Sequence, residues 1–191
     1  MGADPRLAAR GTHALVNSLN PYRLEGQKTA AFEIVEELGE PPSVLALPYG
    51  GGGNTRAYVK GFEEAGVGMP RILAVEASQR DRTVASAIRI AAPAHAAQVE
   101  PALERTGGTI VTVPDDAILE AWRLLAQEEG VFCEPASAAG VAGLAQAGLA
   151  PRTRVVCAVT GHGLKDPEAA DRLTPPPVAV DPDPDAIAGA V

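Results

Sequence analysis

The feature that most constrains this chain is a run of four glycines, Gly50 to Gly53, between an apolar segment and a helical pattern. The apolar segment, Val44 to Leu47, is flanked by prolines and predicts a short buried strand. Asn54 and Thr55 follow the glycines, and helix-face spacing begins at Ala57. Glycines let a backbone approach a ligand closely, and the first N–H groups of a helix lack intrahelical partners. A strand, a glycine loop and a helix start in this order favour a bound anion such as phosphate.

The glycine run does not match the two best-known nucleotide loops. No Lys-Ser or Lys-Thr pair follows the last glycine, as a Walker loop requires. The dinucleotide-binding fingerprint needs a third glycine at an offset that GGGGNT lacks. A plain strand-to-helix turn remains the simpler alternative, although such a turn needs only one or two glycines.

Composition and charge exclude several classes of function. The chain has 191 residues, of which 46% are hydrophobic, so it can bury a core as one domain. A net charge of −8 argues against nucleic acid and against anionic membranes as partners. No signal peptide or membrane-length apolar run is evident. Cys133 and Cys157 lie in apolar runs, which predicts reduced core residues of a cytoplasmic protein. The three histidines are far apart, so we expect no metal site.

Strand and helix patterns alternate along the chain. Helices are predicted at Tyr22 to Leu38, after the glycines to about Gly66, Thr83 to Ala92, Ala94 to Arg105, Asp115 to Glu129 and Pro135 to Ala147. Further strands are predicted at Arg71 to Ala77, Thr109 to Val113 and Arg154 to Thr160, and His13 to Ser18 resembles the end of another strand. The alternation predicts an α/β fold of three layers: a mostly parallel twisted sheet with helices on both faces.

Polar clusters follow the strands of this predicted sheet. Gly50 to Thr55 follows one strand, Asn17 and Ser18 follow another, and Thr160 to Lys165 follows the last. Parallel sheets bind ligands beyond the carboxyl ends of their strands. The three clusters therefore predict one shared site.

Five segments, in order along the chain, carry a resemblance to a known family: LVNSLNPYRLEGQKTAAFEIVEELG, ALPYGGGGNTRAYVKGF, AIRIAAP, EEGVFCEPASAAGVAGL and VTGHGLKDP. Together they resemble threonine synthase, a pyridoxal-phosphate enzyme of the tryptophan-synthase-β-like fold (fold type II). The resemblance covers about Leu15 to Asp171. It implies O-phosphohomoserine, a phosphorylated amino acid, as the small-molecule substrate.

The resemblance also implies roles for individual residues. Cofactor phosphate would be held by Gly50, Gly51, Gly52, Gly53 and Asn54, and Thr160 would bond the pyridine nitrogen. Substrate phosphate would be bound by Asn17, Ser18 and Arg23. Gly51 stands where the family usually has an asparagine that helps to contact substrate phosphate, so substrate affinity or choice can differ here.

Each of these residues also has a structural alternative. Asn17 and Ser18 can cap the following helix, Arg23 can be a solvated helix residue, and Thr160 can cap a turn. Glu134 can be a pocket acid, but it also precedes Pro135 at a helix start, where an acid is favoured anyway. His162, between two glycines, is interpreted as a loop residue.

The resemblance further implies that the family's Schiff-base lysine lies in an N-terminal part that this chain does not contain. Lys28, Lys60 and Lys165 are its only lysines, and none has that sequence context. We therefore expect an incomplete fold and a catalytically inactive chain. Residues 1–14 would be a leader or remnant of the missing part, residues 15–172 the C-terminal part of the enzyme domain, and residues 173–191 a disordered tail. Its macromolecular partner would be the missing N-terminal half or a second copy. The alternatives are a non-catalytic binder of a phosphate-bearing ligand and another enzyme of the fold, such as a threonine or serine dehydratase.

Overall fold

Helices and strands alternate along the chain, as the sequence predicts. The computed structural model describes residues 10, 11, 13, 14, 16, 20–173 and 175–190. The strands are β1 (Val44–Pro48), β2 (Arg71–Ala77), β3 (Thr109–Val113) and β4 (Val155–Cys157). The helices are α1 (Pro21–Gln27), α2 (Thr29–Leu38), α3 (Gly53–Ala65), α4 (Ala96–Thr106), α5 (Asp115–Glu128), α6 (Pro135–Leu144), α7 (Pro167–Leu173) and α8 (Pro184–Ala188), with 3-10 turns at Ser86–Ile88 and Gly163–Lys165.

The four strands form one sheet in the order β3-β2-β1-β4, and every pairing is parallel. Val44 of β1 lies opposite Arg71 of β2 and Val155 of β4. This arrangement confirms the predicted parallel sheet. It also brings the loops that follow β1 and β4 to the same edge of the sheet.

Helices cover both faces of the sheet. Successive side chains of β1 and β2 point to opposite faces, so each strand packs against helices on both sides. On one face, Leu45 and Leu47 pack with Phe62 of α3 and Val99 of α4. On the other, Val75 packs with Ile118 and Trp122 of α5 and with the small residues of α6. All five side chains of β1 are buried, as expected of a central strand in a parallel sheet.

The predicted helix from Tyr22 to Leu38 is wrong as a single element. The chain forms α1 and α2 with a break at Lys28. The Thr29 hydroxyl donates to the Gly26 carbonyl at 2.9 Å, which competes with the helical backbone bonding at this point. A Cβ on Gly61 would lie 2.4 Å from the Lys28 carbonyl oxygen, so glycine there lets α3 pack directly against the break.

The predicted helix from Thr83 to Ala92 is also wrong, apart from the short 3-10 turn. Tertiary bonds take the groups that a helix would use. The carboxylate of Asp115 accepts from the Thr83 hydroxyl at 2.5 Å and from the Val84 N–H at 3.0 Å. The Thr83 carbonyl in turn accepts from Arg89 Nε at 2.7 Å.

Other boundaries move by a few residues. The last strand ends at Cys157 and not at Thr160, although the Ala158 N–H still donates to Ala46. α6 ends at Leu144, three residues before the predicted end. The tail predicted to be disordered contains the short helix α8, which is capped by Asp183. The predicted domain boundaries stay predictions. No helix in the described part of the chain is both long and apolar enough to cross a membrane.

Candidate functional site

A cleft of about 570 Å³ opens at the carboxyl edge of the sheet. Its walls come from α1, from the loop between β1 and α3, from residues 87–90 and from the segments around Glu134 and Thr160. Arg23, all four loop glycines, Asn54 and Thr160 line it together. The structure therefore brings every described residue of the predicted site to one cavity. Asn17 and Ser18 lie outside the described residues, and all of these roles stay predictions.

The glycine loop is anchored through its carbonyl groups. The Gly50 carbonyl accepts from Arg80 Nη2 at 2.7 Å, and the Gly51 carbonyl accepts from the His95 N–H at 3.0 Å. Because C=O and N–H point in opposite directions across a trans peptide, the N–H groups of Gly51 and Gly52 point away from these anchors. Neither N–H donates to an acceptor in the described part of the chain.

Two of the loop positions have no room for a side chain. Gly52 has a φ of 86°, and a Cβ on it would lie 2.8 Å from Val99 Cγ2. A Cβ on Gly50 would lie 3.1 Å from the Ile88 Cα. Glycine at these positions lets the loop lie close to α4 and to residues 87–90. Immediately afterwards α3 begins at Gly53, with the unpartnered N–H groups of its first turn at the cleft.

One face of α1 forms the opposite wall. Arg23, Gly26, Gln27 and Ala30 all line the cleft at helix-face spacing, the last just past the break. Arg23 is exposed, and its guanidinium bonds only weakly, at 3.4 Å, to the Val16 carbonyl. A guanidinium in this position is available to an anionic group in the cleft.

Thr160 is held by a buried serine on α6. The Ser137 hydroxyl lies 3.1 Å from Thr160 Oγ1 and accepts from the Gly161 N–H at 2.7 Å. Ser137 is 1% exposed, whereas Thr160 is exposed to the cleft. The serine therefore fixes the loop while the threonine hydroxyl stays accessible.

Residues 132–134 and 161–163 pair as a short antiparallel ladder. Cys133 and His162 form its bridge, with the Glu134 N–H donating to Gly161 at 2.9 Å and the Gly163 N–H donating to Phe132 at 3.1 Å. The His162 ring lies edge-on to Phe132, with the ring centroids 5.5 Å apart. His162 thus has a packing role, in keeping with its interpretation as a loop residue.

Glu134 is a buried carboxylate on the floor of the cleft. It is 4% exposed, and Lys165 Nζ lies 3.6 Å from its Oε1. A Cβ on Gly161 would lie 2.0 Å from the same oxygen, so only glycine allows the carboxylate this position. The sequence is compatible with Glu134 as a pocket acid and as a residue at a helix start, and its position agrees with both, since Glu134 lines the cleft and precedes α6.

The other two lysines belong to a surface cluster between α1 and α3. Lys28 pairs with Glu25 at 2.5 Å and with Glu64 at 2.6 Å, and Lys60 also pairs with Glu25. Neither lysine lines the cleft. Lys165 is the one that does, and its side chain is 63% exposed.

Sequence reasoning missed Gln27, Tyr58 and the wall of residues 87–90. Gln27 follows Arg23 by four residues, so helical spacing could have identified it. Tyr58 lies one turn after Asn54 on α3. Burial, and to a smaller extent the nearby Glu33 carboxylate, raise the pKa of the Tyr58 phenol. Residues 87–90 lie in the AIRIAAP segment of the family resemblance, but their periodicity predicts a helix because the tertiary bonds that shape this wall leave no local pattern.

The donor set fits a phosphate-bearing cofactor with a flat ring. Free N–H groups and a helix N-terminus lie at one end of the cleft, and a threonine hydroxyl lies on another wall. Ala136, Val159 and Ile88 supply apolar surface between them. The described residues contain no cluster of His, Cys, Asp or Glu arranged to hold a metal ion.

Comparison with known proteins identifies the family to which this chain belongs. The model of the pyridoxal-phosphate dependent enzyme family matches residues 3–161, which include every residue that lines the cleft except Lys165. Threonine synthase of Halalkalibacterium halodurans is 47% identical over 175 residues, covering 82% of this chain and 49% of that protein. Threonine synthase of Synechocystis sp. is 49% identical, covering 82% of this chain and 46% of that protein. The chain spans about half the length of the curated relatives it matches.

Solved structures of related enzymes have the same fold. A threonine deaminase from T.th. superposes with a TM-score of 0.63 at 25% identity, covering 75% of this chain and 59% of that chain. Maize serine racemase superposes with a TM-score of 0.70 at 20% identity, covering 88% of this chain and 57% of that chain. With the family match over most of the chain and the cleft at the carboxyl edge of a parallel sheet, this chain belongs to the pyridoxal-phosphate dependent enzyme family and has the fold of its type II members.

Proposed function

We propose that this chain forms the cofactor-phosphate and substrate side of a threonine synthase. The complete enzyme would convert O-phosphohomoserine and water to threonine and inorganic phosphate. The observation that supports this proposal most directly is that Arg23, the glycine loop and Thr160 line the same cleft in a chain 47% identical to a threonine synthase.

On the cofactor side, the glycine loop would bind the phosphate group. The N–H groups of Gly51 and Gly52 and the start of α3 offer unpartnered donors. The Thr160 hydroxyl would bond the pyridine nitrogen, held in place by Ser137. A neutral hydroxyl at this position leaves the nitrogen largely unprotonated. Pyridoxal phosphate supplies an electron sink for negative charge that develops on substrate carbons.

On the substrate side, Arg23 would bind the phosphate that leaves. A guanidinium binds phosphate through two parallel N–H bonds, and Arg23 is at the cleft with its fork mostly free. Asn17 and Ser18 would complete this subsite. Gly51 offers no side-chain donor where the family has an asparagine, which places more of the binding on Arg23.

The lysine that anchors the cofactor would come from outside residues 1–191. Lys28 and Lys60 are held in ion pairs between α1 and α3, and Lys165 pairs with Glu134. We therefore propose that these residues alone do not form threonine and need a complementary N-terminal segment. The half-buried strand β4 lies at an edge of the sheet, and its outer side, which pairs with no strand in the described part of the chain, could accept such a segment.

The test combines spectroscopy with assays of turnover. Pyridoxal phosphate is added to the purified chain, its visible spectrum is recorded, and borohydride reduction with peptide mapping locates any modified lysine. We expect no stoichiometric adduct and no threonine from O-phosphohomoserine. One stoichiometric adduct together with threonine formation by this chain alone would contradict the proposed need for an outside lysine. Ammonia release from threonine or serine would instead favour a dehydratase, and binding without turnover in any complemented form would favour a non-catalytic binder.

The role of Arg23 is tested in the complemented enzyme. Arg23→Ala should raise the KM for O-phosphohomoserine with little change in cofactor affinity, because a charge-assisted contact contributes roughly 1.5–3 kcal/mol. Arg154→Ala, which removes an exposed arginine paired with Glu40, is the matched control. Unchanged kinetics in Arg23→Ala would show that Arg23 does not bind the substrate phosphate and is a solvated helix side chain.

A further inference from the structure

Arg80 lies in the turn after β2 and bonds to both sides of the junction between the glycine loop and residues 87–90. Its Nη2 donates to the Gly50 carbonyl at 2.7 Å, and its Nε donates to the Ile90 carbonyl at 3.0 Å. Gly50 and Ile90 both line the cleft. One guanidinium therefore ties together two walls that are 40 residues apart in the chain.

The guanidinium is itself held in a fixed position. Its Nη1 pairs with the Glu76 carboxylate, which also accepts from the Thr112 hydroxyl at 3.1 Å on β3. Its central carbon lies 4.8 Å from the centroid of the Tyr49 ring, within cation–π range. The side chains of Arg80 and Glu76 are only 17% and 21% exposed, so solvent competes little for these contacts.

The bond to Gly50 has a consequence for the loop. It fixes the plane of the Gly50–Gly51 peptide, because the carbonyl must point towards Arg80. The Gly51 N–H then points the opposite way, away from Arg80, which is not among the residues that line the cleft. A loop of four glycines has little stiffness of its own, so an outside anchor is needed to hold its donors in place.

We propose that Arg80 is a positioning residue for the phosphate site: it orients the Gly51 N–H and holds residues 87–90 against the glycine loop, without itself touching the ligand. This inference rests on the proposed binding of the cofactor phosphate by the loop. The expectation from sequence concerned the glycines alone, and no local pattern around Arg80 indicates this role.

The experiment compares pyridoxal phosphate with pyridoxal, which lacks the phosphate. Binding of each to the purified chain is titrated calorimetrically at 10 °C, where circular dichroism verifies that each variant is folded. Arg80→Gln should weaken binding of pyridoxal phosphate about tenfold or more, the effect of losing one to two hydrogen bonds, and weaken pyridoxal binding much less. Arg105→Gln is the control, because Arg105 also bonds a carboxylate and a carbonyl, those of Glu63 and Pro101, but away from the cleft.

Arg80→Lys separates the fork geometry from the charge. Lysine keeps the charge near Glu76 but lacks the planar fork that reaches two carbonyls, so it should recover at most part of the affinity. Wild-type affinity in Arg80→Lys or Arg80→Gln would overturn the inference, as would an equal loss for pyridoxal. If Arg80→Gln does not fold, Arg80→Lys carries the test, with binding about threefold weaker as the expected result. A wild-type chain that binds pyridoxal phosphate no better than pyridoxal would overturn both the proposed phosphate site and this inference.

Discussion

Ser137 Oγ lies 3.1 Å from Thr160 Oγ1 and accepts the Gly161 N–H at 2.7 Å, so a buried hydroxyl on α6 fixes the loop that follows β4. This contact joins two of the segments that carry the family resemblance. It explains how Thr160 can be exposed to the cleft and still have a defined orientation.

Ser137→Ala should destabilise the chain by about 1–3 kcal/mol, because it leaves the buried Gly161 N–H without its acceptor. Urea unfolding followed by the fluorescence of Trp122 measures this change. Ser43→Ala removes an exposed hydroxyl and should stay within about 0.5 kcal/mol of the wild type. Equal stability of the two variants would show that the Ser137 bond has no net effect.

The parallel sheet and the position of the cleft could be predicted from the sequence, because both follow from local patterns. Apolar runs such as Arg71 to Ala77 predict strands, and polar clusters after strands predict where ligands bind. The meeting of the glycine loop with the segment that begins at Thr160 follows from that topology, whereas Arg23 is expected at the site only from the family resemblance. The break at Lys28 was not predictable in this way, since the Thr29 hydroxyl and the close approach of Gly61 decide it.

The supports of the site could not be predicted, because they join residues that are far apart in the chain. Ser137 meets Thr160, Asp115 meets Thr83, and Arg80 meets Gly50, each across more than 20 residues. Which side chains meet at that separation depends on how whole helices and strands pack together. The periodicity of the sequence does not predict these contacts.

Gly161→Ala should destabilise the chain by about 1–3 kcal/mol through steric conflict. The new methyl group would lie 2.0 Å from Glu134 Oε1, so the buried carboxylate or the loop has to move. Gly26→Ala is the contrasting control, because Gly26 lies in the last turn of α1 and a Cβ there meets nothing within 4 Å. It should leave stability unchanged or raise it by about 0.5–1 kcal/mol, since alanine favours a helix over glycine. Thermal unfolding of both variants decides the prediction, and a Gly161→Ala variant as stable as Gly26→Ala contradicts it.

The two cysteines should react slowly with thiol reagents while the chain is folded. Burial raises the pKa of the Cys157 thiol to about 11, and burial is also the main cause that raises the pKa of Cys133. Very little thiolate is therefore present at pH 8, and thiolate is the reactive form. Reaction with an aromatic disulfide should be slow in buffer and fast in urea, with two thiols released. Cys133 is buried as expected, whereas Cys157 is only half-buried and not a core residue. Rapid reaction of either thiol in the folded chain, located by mass spectrometry, would contradict its raised pKa.

The cluster of Glu25, Lys28 and Lys60 should make stability depend on pH between about 4.5 and 2. Hydrogen bonds from Lys28 and then Lys60 lower the pKa of Glu25 from 4.5 to about 2. The unfolded chain therefore binds a proton at this residue before the folded chain does, and the free energy of unfolding falls as pH drops through this window. The stabilisation that Glu25 gains from its ion pairs is fully present above pH 4.5 and absent below about pH 2.

Glu25→Gln should remove that part of the pH dependence and leave stability at pH 3 closer to its value at pH 6. Glu104→Gln, which changes an exposed carboxylate outside the cluster, is the control. Added salt should reduce the difference between wild type and Glu25→Gln, because the cluster is open to solvent and its charges are screened. Urea unfolding at several pH values and two salt concentrations measures both effects. Parallel stability curves for the wild type and Glu25→Gln between pH 6 and pH 2 would mean that the ion pairs of Glu25 with Lys28 and Lys60 do not form in solution.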